Sequence, residues 1–296
     1  MKEKSNFVAR KAKQFKIVPM RIFENRYALQ SYLDSMTAVH FVPTMGALHA
    51  GHLSLVEAAR KGGGTVAVSI FVNPTQFNDP RDLERYPHTL DADLRLLEPL
   101  GVDAVFVPPV EEIYPEPDTR RFDFGHLDGV MEGATRPGHF NGVAQVVSRL
   151  FETVRPAVAY FGEKDFQQIA IIRAMVKQLG LPVEIVTCPT VREPDGLAMS
   201  SRNTLLNREQ RSAAPLIYAT LAKAVTLRNT LDIGDAERWV VAQINKNPYL
   251  EVIYFQIVDA ERLLSVGNWD IPCEKRGCIA VKTGDIRLID NIDFGR

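Results

Sequence analysis

The sequence contains few cysteines. Only Cys188, Cys273 and Cys278 occur in 296 residues, which is an odd number. The nearest pair, Cys273 and Cys278, has four residues between its members, whereas zinc-binding pairs commonly have two. This usage argues against a disulfide framework and a structural metal site. It predicts a reducing compartment, the cytoplasm.

An excess of charge of either sign is also missing. The chain has 35 lysines and arginines against 36 aspartates and glutamates, which gives a formal net charge of −1. Proteins that bind nucleic acid or membrane surfaces generally carry a basic field over a large part of their surface. We therefore expect neither nucleic acid nor a membrane as a partner, and any polyanion must bind at a local site.

Long hydrophobic runs are absent as well. The longest apolar stretches, such as residues 65–72 and 102–107, are far shorter than the roughly 20 residues that cross a bilayer. Residues 1–15 are basic but have no apolar region of the kind found in secretory signals, so we interpret them as a solvated arm. The sequence predicts no membrane-spanning segment.

Short β-rich runs alternate with helical stretches between about residues 38 and 188. The predicted strands are 38–42, 65–72, 102–107, 157–161 and 183–188, and the predicted helices are 52–60, 90–100, 143–154 and 166–179. Continuous apolar strands separated by helices indicate a parallel sheet that is covered on both faces. This pattern predicts a doubly wound α/β domain.

The pattern changes after Pro194, Asp195 and Gly196. The predicted helices are now 207–228 and 234–246, and the predicted strands that follow them are 251–258, 278–282 and 286–289. Helices followed by strands suggest a separate, smaller α+β unit. We place the boundary near residue 190, with domains of residues 1–190 and 191–296.

The first candidate site is PTMGALHAGH at residues 43–52, between the first of these strands and the first helix. Ligands of doubly wound sheets bind at the carboxyl ends of strands, where helix N-termini offer free N–H groups to anions. His49 and His52 are three residues apart, so both could donate hydrogen bonds to one phosphate from the same side of a helical turn. Gly46 and Gly51 would allow close approach of a bulky ligand. The alternatives are a helix-capping histidine beside an exposed one, or a zinc site, which is disfavoured because no third ligand is nearby.

Two further motifs end at the same predicted edge of the sheet. FVNPTQF offers the amides of Asn73 and Gln76, which can bind hydroxyls and a carboxylate without adding charge. YFGEKDFQQ offers Lys164, a point charge suited to phosphate, and Gln168 at the start of a helix. Each motif alone could be an ordinary turn or a surface cluster.

A fourth motif, VREPDGLAMSSRN at residues 191–203, lies at the predicted domain boundary. Its two hydroxyls and its arginine could surround a polyphosphate, and a hinge there could close over a nucleotide. A helix cap is the alternative. RPGHFNGV at residues 136–143 has a supporting role, while Asp91 and Asp93 could either help to hold Mg²⁺ or lie at a solvated helix N-terminus.

Taken together, the five motifs resemble the pantothenate synthetase family. These are AMP-forming pantoate:β-alanine ligases of the HxGH nucleotidyltransferase superfamily, to which the class I aminoacyl-tRNA synthetases also belong. The resemblance runs from about residue 16 to the end, with the motifs in the family's order. It implies a Rossmann-like N-terminal domain, a smaller C-terminal lid, a homodimer, and the ligands ATP, Mg²⁺, pantoate and β-alanine.

The resemblance also implies a two-step reaction in the biosynthesis of pantothenate and coenzyme A. Pantoate carboxylate attacks the α-phosphorus of ATP·Mg and releases pyrophosphate. The amine of β-alanine then attacks the enzyme-bound pantoyl adenylate and releases AMP. Adenylation is needed because a carboxylate is a poor acyl donor.

Roles for individual residues follow from the same resemblance. His49 and His52 would bind ATP, with His52 as proton donor, and Lys164 would neutralise phosphate oxygens in the transition state. Gln76 and Gln168 would hold pantoate, and Gln76 would also contact β-alanine. The implied catalytic residues are His52, His49, Lys164, Ser200, Ser201 and Arg202, of which the last three belong to a counterpart of the synthetase KMSKS loop. The implied ATP-binding residues are Met45 (also near pantoate), Gly46, His49, Gly51, His52, Gly162, Glu163, Lys164, Asp165, Val191, Met199, Ser200, Ser201 and Arg202.

Other functions remain open from the residues alone. A different nucleotidyltransferase would join a nucleotide to a phosphorylated acceptor, but that acceptor needs extra cations, whereas Asn73, Gln76 and Gln168 are uncharged. A tRNA synthetase is disfavoured because the chain has neither a basic face nor an anticodon-binding extension. A module that binds ATP without turnover would need neither both histidines nor Lys164.

Overall fold

The computed structural model describes residues 19–296, so the basic arm at residues 1–15 lies outside the described residues. The strands are β1 (Arg21–Phe23), β2 (Val39–Thr44), β3 (Thr65–Ile70), β4 (Ala104–Phe106), β5 (Val158–Gly162), β6 (Glu184–Cys188), β7 (Glu251–Asp259), β8 (Lys275–Thr283) and β9 (Ile286–Gly295). The α-helices are α1 (Arg26–Leu33), α2 (Ala50–Lys61), α3 (Pro80–Glu84), α4 (Leu90–Leu97), α5 (Val110–Ile113), α6 (Met131–Thr135), α7 (His139–Val154), α8 (Phe166–Leu179), α9 (Arg208–Ala213), α10 (Leu216–Thr226) and α11 (Ile233–Ile244). Short 3-10 turns lie at Pro74–Gln76, Glu98–Leu100, Gly125–Asp128, Glu163–Asp165 and Ser201–Leu205.

The first six strands form one parallel sheet in the order β1-β4-β3-β2-β5-β6. From β2 the chain moves outward through β3 and β4, and it then crosses to β5 and β6 on the other side. Where the winding direction reverses, the connections after neighbouring strands diverge and leave a crevice at the strands' carboxyl ends. The parallel α/β prediction is confirmed, and the reversal between β2 and β5 marks where a ligand can enter.

Helices cover both faces of this sheet because successive side chains of its strands point in opposite directions. Phe41 of β2 packs in an apolar cluster with α1, α7 and α8. Val42, the next residue, packs on the opposite face with Leu55, Val56 and Ala59 of α2. The central strands are therefore buried on both sides, which explains their continuous apolar sequences.

The C-terminal domain contains an antiparallel sheet in the order β7-β8-β9, with its own apolar core. Helices α10 and α11 contribute Leu221, Val240 and Ile244 to this core. The single helix expected over 207–228 was wrong, since α9 ends at Ala213 and α10 begins after Pro215. Proline has no backbone N–H and clashes with the preceding turn, so a helix cannot continue through it unbroken.

Neither β1 nor α1 was predicted from the sequence. The strand β1 has three residues, is largely exposed, and pairs with β4 at the edge of the sheet. Three residues are too few for an alternating pattern to be visible. Helix α1 starts at the Asn25 cap, whose side chain accepts hydrogen bonds from the N–H groups of Tyr27 and Ala28. In residues 19–296, none of the helices combines the length and the apolarity needed to span a bilayer.

Candidate active site

A cavity of about 200 Å³ opens at the carboxyl ends of β2 and β5, where the strand order reverses. All five motifs contribute to its wall, the fifth through Val143. The predicted site residues found in this wall are Met45, His49, Gly51, His52, Gln76, Gly162, Lys164, Asp165, Gln168, Val191, Met199, Ser200, Ser201 and Arg202. Residues as far apart in sequence as Met45 and Arg202, which are separated by 157 positions, therefore meet at one place, as the parallel-sheet geometry predicts.

His49 and His52 form the N-terminal end of α2, and their ring centroids are 4.0 Å apart. His49 Nδ1 accepts a hydrogen bond from the Gly51 N–H at 3.2 Å, and His52 Nδ1 accepts one from the His49 N–H at 3.3 Å. A nitrogen that accepts from the backbone is unprotonated, so each neutral ring carries its proton on Nε2. The pair can thus offer two Nε2–H donors to a ligand.

The electrostatic surroundings keep both rings neutral. Burial, together with the positive charge of Lys164, lowers the pKa of His49 to about 4. Burial, followed by the influence of His49 and Lys164, holds the pKa of His52 well below its ordinary value. At pH 7 the two histidines are therefore hydrogen-bond donors without charge, and Lys164 carries the positive charge near them.

Glycine at position 51 explains the spacing of the histidine motif. A Cβ atom on Gly51 would lie 2.9 Å from Cε1 of His49, so any side chain there would displace the His49 ring. Gly46 has a φ of +79°, and a Cβ there would lie 3.1 Å from both Asp93 Oδ2 and Ile70 Cγ2. Gly46 thus forms the tight turn before α2 and is outside the wall of this cavity, and its contact with ATP stays a prediction.

Asp93 of α4 stabilises the turn before α2 through hydrogen bonds. Its Oδ2 accepts from the Ala47 N–H at 2.9 Å, and its Oδ1 accepts from the Leu48 N–H at 2.8 Å and from the Thr89 hydroxyl at 3.1 Å. The side chain is 1% exposed and is absent from the cavity wall. Asp93 is therefore not a solvated residue at a helix N-terminus, because it is buried and both of its oxygens are engaged in fixing the loop.

Lys164 lies in the turn Glu163–Asp165 that follows β5. Its Nζ is 3.5 Å from the Met199 carbonyl oxygen and 3.7 Å from Asp165 Oδ2. Glu163, which was expected to contact ATP, is outside the wall of this cavity. Its carboxylate instead accepts a hydrogen bond at 2.9 Å from Nη2 of Arg276, a residue of the C-terminal domain.

The loop that contains Ser200, Ser201 and Arg202 closes the wall on the side of the C-terminal domain. Ser200 caps the following 3-10 turn by accepting from the Arg202 N–H at 3.3 Å, and Ser201 donates to the Tyr86 hydroxyl at 3.2 Å. Arg202 donates to both carboxylate oxygens of Asp82, at 3.3 and 2.8 Å. Tyr86 and Asp82 thus belong to the site, and a bound polyphosphate would compete with Asp82 for the guanidinium.

An adjoining cavity of about 250 Å³ lies between the two domains. Residues common to both cavities are Met45, Gln76, Lys164, Asp165, Gln168, Ser200 and Arg202. The second cavity adds charged side chains of both signs, including Glu132, Arg136 and Arg287. Two compartments that meet at Lys164 and at the two glutamines can accommodate two ligands side by side.

Gln76 is held in place by contacts at both ends. Its Oε1 accepts from Nδ2 of Asn73 at 3.1 Å, and its Nε2 donates to Sδ of Met45 at 3.2 Å. Its backbone oxygen accepts from Nδ1 of His139 at 2.8 Å and from Nη2 of Arg136 at 3.3 Å. A Cβ on Gly142 would lie 2.5 Å from the oxygen of Thr75, so the fifth motif is built to pack closely against this turn.

The buried histidines make the stability of the fold depend on pH. Burial, together with Arg136, lowers the pKa of His139 to about 3. When the pH is below 6.5, the ordinary pKa of histidine, the ring takes up a proton in the unfolded chain but not in the folded protein. The contribution of neutral His139 to stability is therefore complete above pH 6.5 and is lost as the pH falls towards 3. The unfolding free energy should fall between pH 6.5 and 4.5, and we expect this fall to be about 2 kcal/mol smaller in His139→Gln than in the unsubstituted protein. Denaturant titrations of both proteins across this range test it, and parallel curves would show that His139 is not responsible.

The comparisons with known proteins agree with the geometry. The family model described as Pantoate-beta-alanine ligase matches residues 21–293. A pantothenate synthetase of Porphyromonas gingivalis is 53% identical over 279 residues, which are 93% of this chain and 99% of the relative. A pantothenate synthetase of Bacteroides fragilis has the same identity and coverage.

Solved structures show the same relationship. The crystal structure of a pantothenate synthetase from Thermus thermophilus superposes with a TM-score of 0.88 at 44% identity and covers 94% of this chain and 100% of that one. A pantoate-beta-alanine ligase from Francisella tularensis, described as complexed with Beta-gamma ATP and β-alanine, has a TM-score of 0.80 at 36% identity and covers 93% and 98%. The resemblance inferred from the five motifs is therefore confirmed, and this chain belongs to the pantoate-beta-alanine ligase family.

Proposed function

We propose that the chain condenses (R)-pantoate with β-alanine to give pantothenate, using ATP and passing through an enzyme-bound pantoyl adenylate. The observation that carries this proposal is the meeting of the two neutral histidines, Lys164 and the serine–arginine loop around one cavity, beside two glutamines. The first set is suited to phosphate chemistry, and the uncharged amides are suited to a small hydroxy acid.

In the first step, a carboxylate oxygen of pantoate attacks the α-phosphorus of ATP, and pyrophosphate leaves. Negative charge builds up on the phosphate oxygens during this attack. We propose that the Nε2–H groups of His49 and His52 donate to these oxygens and that Lys164 neutralises them. Because all three groups are in place before the reaction, little reorganisation is needed.

Ser200, Ser201 and Arg202 would hold the β- and γ-phosphates. Arg202 forms a two-pronged ion pair with Asp82, and guanidinium groups bind phosphate oxygens with the same fork geometry. We propose that ATP binding transfers Arg202 from Asp82 to the phosphates. Magnesium would enter with ATP as part of the substrate, since Mg²⁺ usually keeps several waters and is held by phosphates and few carboxylates.

The acid and the amine would occupy neighbouring compartments. Pantoate has an apolar dimethyl centre, and the first cavity offers it the apolar side chains of Val143, Val146 and Val147 from α7. Gln76, Gln168 and Met45 would hold its polar ends. The second cavity shares these three residues, so β-alanine placed there lies next to the acyl carbon and beside Gln76.

We further propose that residues 1–190 form the nucleotide- and pantoate-binding domain and that residues 191–296 act as a lid, in a cytoplasmic homodimer. The division is supported by the separate apolar cores of the two parts. The three cysteines are free, which suits a reducing compartment.

An omission assay tests the overall reaction. Pantothenate and AMP should form together, in equal amounts, only when ATP·Mg, pantoate and β-alanine are all present. Product with ADP in place of AMP would contradict the adenylation route. ATP binding without any product would favour a module that binds the nucleotide but does not react.

His139 offers a test of how pantoate is held. Replacing His139 with alanine removes the shorter of two hydrogen bonds to the Gln76 backbone, and such a bond contributes about 1 kcal/mol. We expect the KM for pantoate to rise roughly fivefold while the KM for ATP stays nearly constant. Steady-state kinetics with each substrate varied measures this. Equal changes in both constants would contradict a specific role at Gln76.

A further inference from the structure

Asp290 and Asn291, which are neighbours in β9, contact two segments of the site. The first segment is the turn that contains Lys164, and the second is the loop that leads from Arg192 to Ser200, Ser201 and Arg202. Asn291 is 3% exposed, and its Nδ2 donates to the backbone oxygens of Glu163 at 2.8 Å and Lys164 at 3.1 Å. The side-chain amide of Asn291, in the C-terminal domain, thus holds the consecutive carbonyl groups of Glu163 and Lys164. The turn that carries Lys164 is therefore fixed through its backbone by the C-terminal domain.

Arg276 of β8 completes this contact. Its Nη1 donates to Oδ1 of Asn291 at 3.2 Å, which orients the amide so that Nδ2 faces the turn. Its Nη2 donates to Glu163 at 2.9 Å, and the guanidinium lies over the Phe166 ring at 4.8 Å from the centroid. Backbone and side chain of the turn are thereby held by the same pair of residues.

Asp290 holds the second segment. Its carboxylate accepts from Nη1 and Nη2 of Arg192 at 2.7 and 2.9 Å, and Arg192 also donates to the Asn291 backbone oxygen at 3.4 Å. Arg192 pairs across the loop with Ala198, just before Met199. One dipeptide of β9 therefore ties together the Lys164 turn and the loop that leads to the serines and Arg202.

We propose that Asn291 is a positioning residue that sets the place of the Lys164 ammonium relative to the serine–arginine loop. A long lysine side chain has considerable rotational freedom, so its ammonium is placed well only if its backbone is rigid. Asn291 supplies this rigidity from the second domain. The inference rests on the proposed function, because it concerns how Lys164 acts in adenylate formation.

A double-mutant cycle with Lys164 tests the inference. Asn291→Ala should slow pantoate adenylation roughly tenfold in single-turnover measurements of pyrophosphate release, because two hydrogen bonds to the turn are lost. In the Lys164→Ala background the same change should slow the residual rate less than about threefold, because Asn291 then has no lysine to place. A tenfold loss in both backgrounds would overturn the inference, since it would indicate general damage to the site. No loss in either background would overturn it too.

Two further variants keep the test decisive. Arg276→Gln removes the Glu163 contact and the support of the Asn291 amide, and it should show the same dependence on Lys164 even if Asn291→Ala fails to fold. Arg228→Gln is the matched control, because Arg228 donates to the Phe294 backbone at the far end of β9 at 2.6 Å. It should leave the rate unchanged. A wild-type protein without pantoate-dependent pyrophosphate release would contradict the proposed function itself, whereas an active wild type with an additive cycle contradicts only this inference.

Discussion

Replacing Lys164 with alanine is expected to slow adenylate formation by at least roughly 10²-fold, or about 2.7 kcal/mol in the activation barrier. The ammonium lies among the histidine pair, the Met199 carbonyl and Asp165, where it can meet negative charge as it develops on the phosphates. The loss should appear in the rate of the chemical step more than in the affinity for ATP, because the contact strengthens in the transition state.

Single-turnover pyrophosphate release with saturating ATP and pantoate measures this effect. Lys177→Ala serves as the control, because Lys177 is an exposed lysine near the end of α8 and does not line the cavity. Near-normal rates for Lys164→Ala would remove this lysine from the proposed chemistry.

Changes to the histidine pair should have effects of similar size. We expect His49→Ala and His52→Ala each to lower pantoate-dependent exchange of pyrophosphate into ATP by about 10²- to 10³-fold, the loss typical of one preorganised donor to a developing oxyanion. Since both rings present Nε2–H, a glutamine at position 52, whose amide nitrogen can reach the place of Nε2, should retain more activity than an asparagine, whose amide nitrogen lies closer to the place of Nδ1.

His88→Ala is the matched control for the pair, because this histidine is exposed and outside the cavity. It should leave the exchange rate unchanged. Intact exchange in His49→Ala and His52→Ala would contradict the assignment of both residues. Equal activity of the glutamine and asparagine variants at position 52 would contradict the role of Nε2 as the donor.

The meeting of the main motifs at one site could be predicted because it depends only on the sequence of strands and motifs along the chain. In a parallel sheet the ends of successive strands meet at one edge, so a histidine pair after β2, an amide after β3 and a lysine after β5 had to converge. The hydrophobic pattern was strong in these buried strands. Both the crevice and most of its wall therefore followed from the sequence.

The supporting residues could not be predicted, because their contacts join distant segments without a local pattern. Asp93 lies 45 residues from Leu48, and Asn291 lies 127 residues from Lys164. In the sequence an aspartate early in a helix resembles a solvated residue, and an asparagine in a strand has no distinguishing mark. Asp93 holds the turn before α2, and Asn291 holds the turn that contains Lys164. These roles become visible only in the structure, where α4 packs against the first of these turns and β9 against the second.

The fifth motif shows an intermediate case. The sequence alone assigned it only a supporting role, because the reason for its glycines and its histidine lies in the turn at Pro74–Gln76. Gly142 leaves room for the oxygen of Thr75, and His139 binds the oxygen of Gln76. Sequence could locate such a motif, whereas its partner became clear only from the contact between α7 and that turn.

The most direct test of the proposed reaction is ordered addition of the substrates. The protein is mixed with ATP·Mg and pantoate, and pyrophosphate and AMP are followed before and after β-alanine is added. We predict about one equivalent of pyrophosphate per site before β-alanine is present, and steady release of AMP only afterwards. Absence of pantoate-dependent pyrophosphate release, or release of AMP before β-alanine is added, would contradict an enzyme-bound pantoyl adenylate.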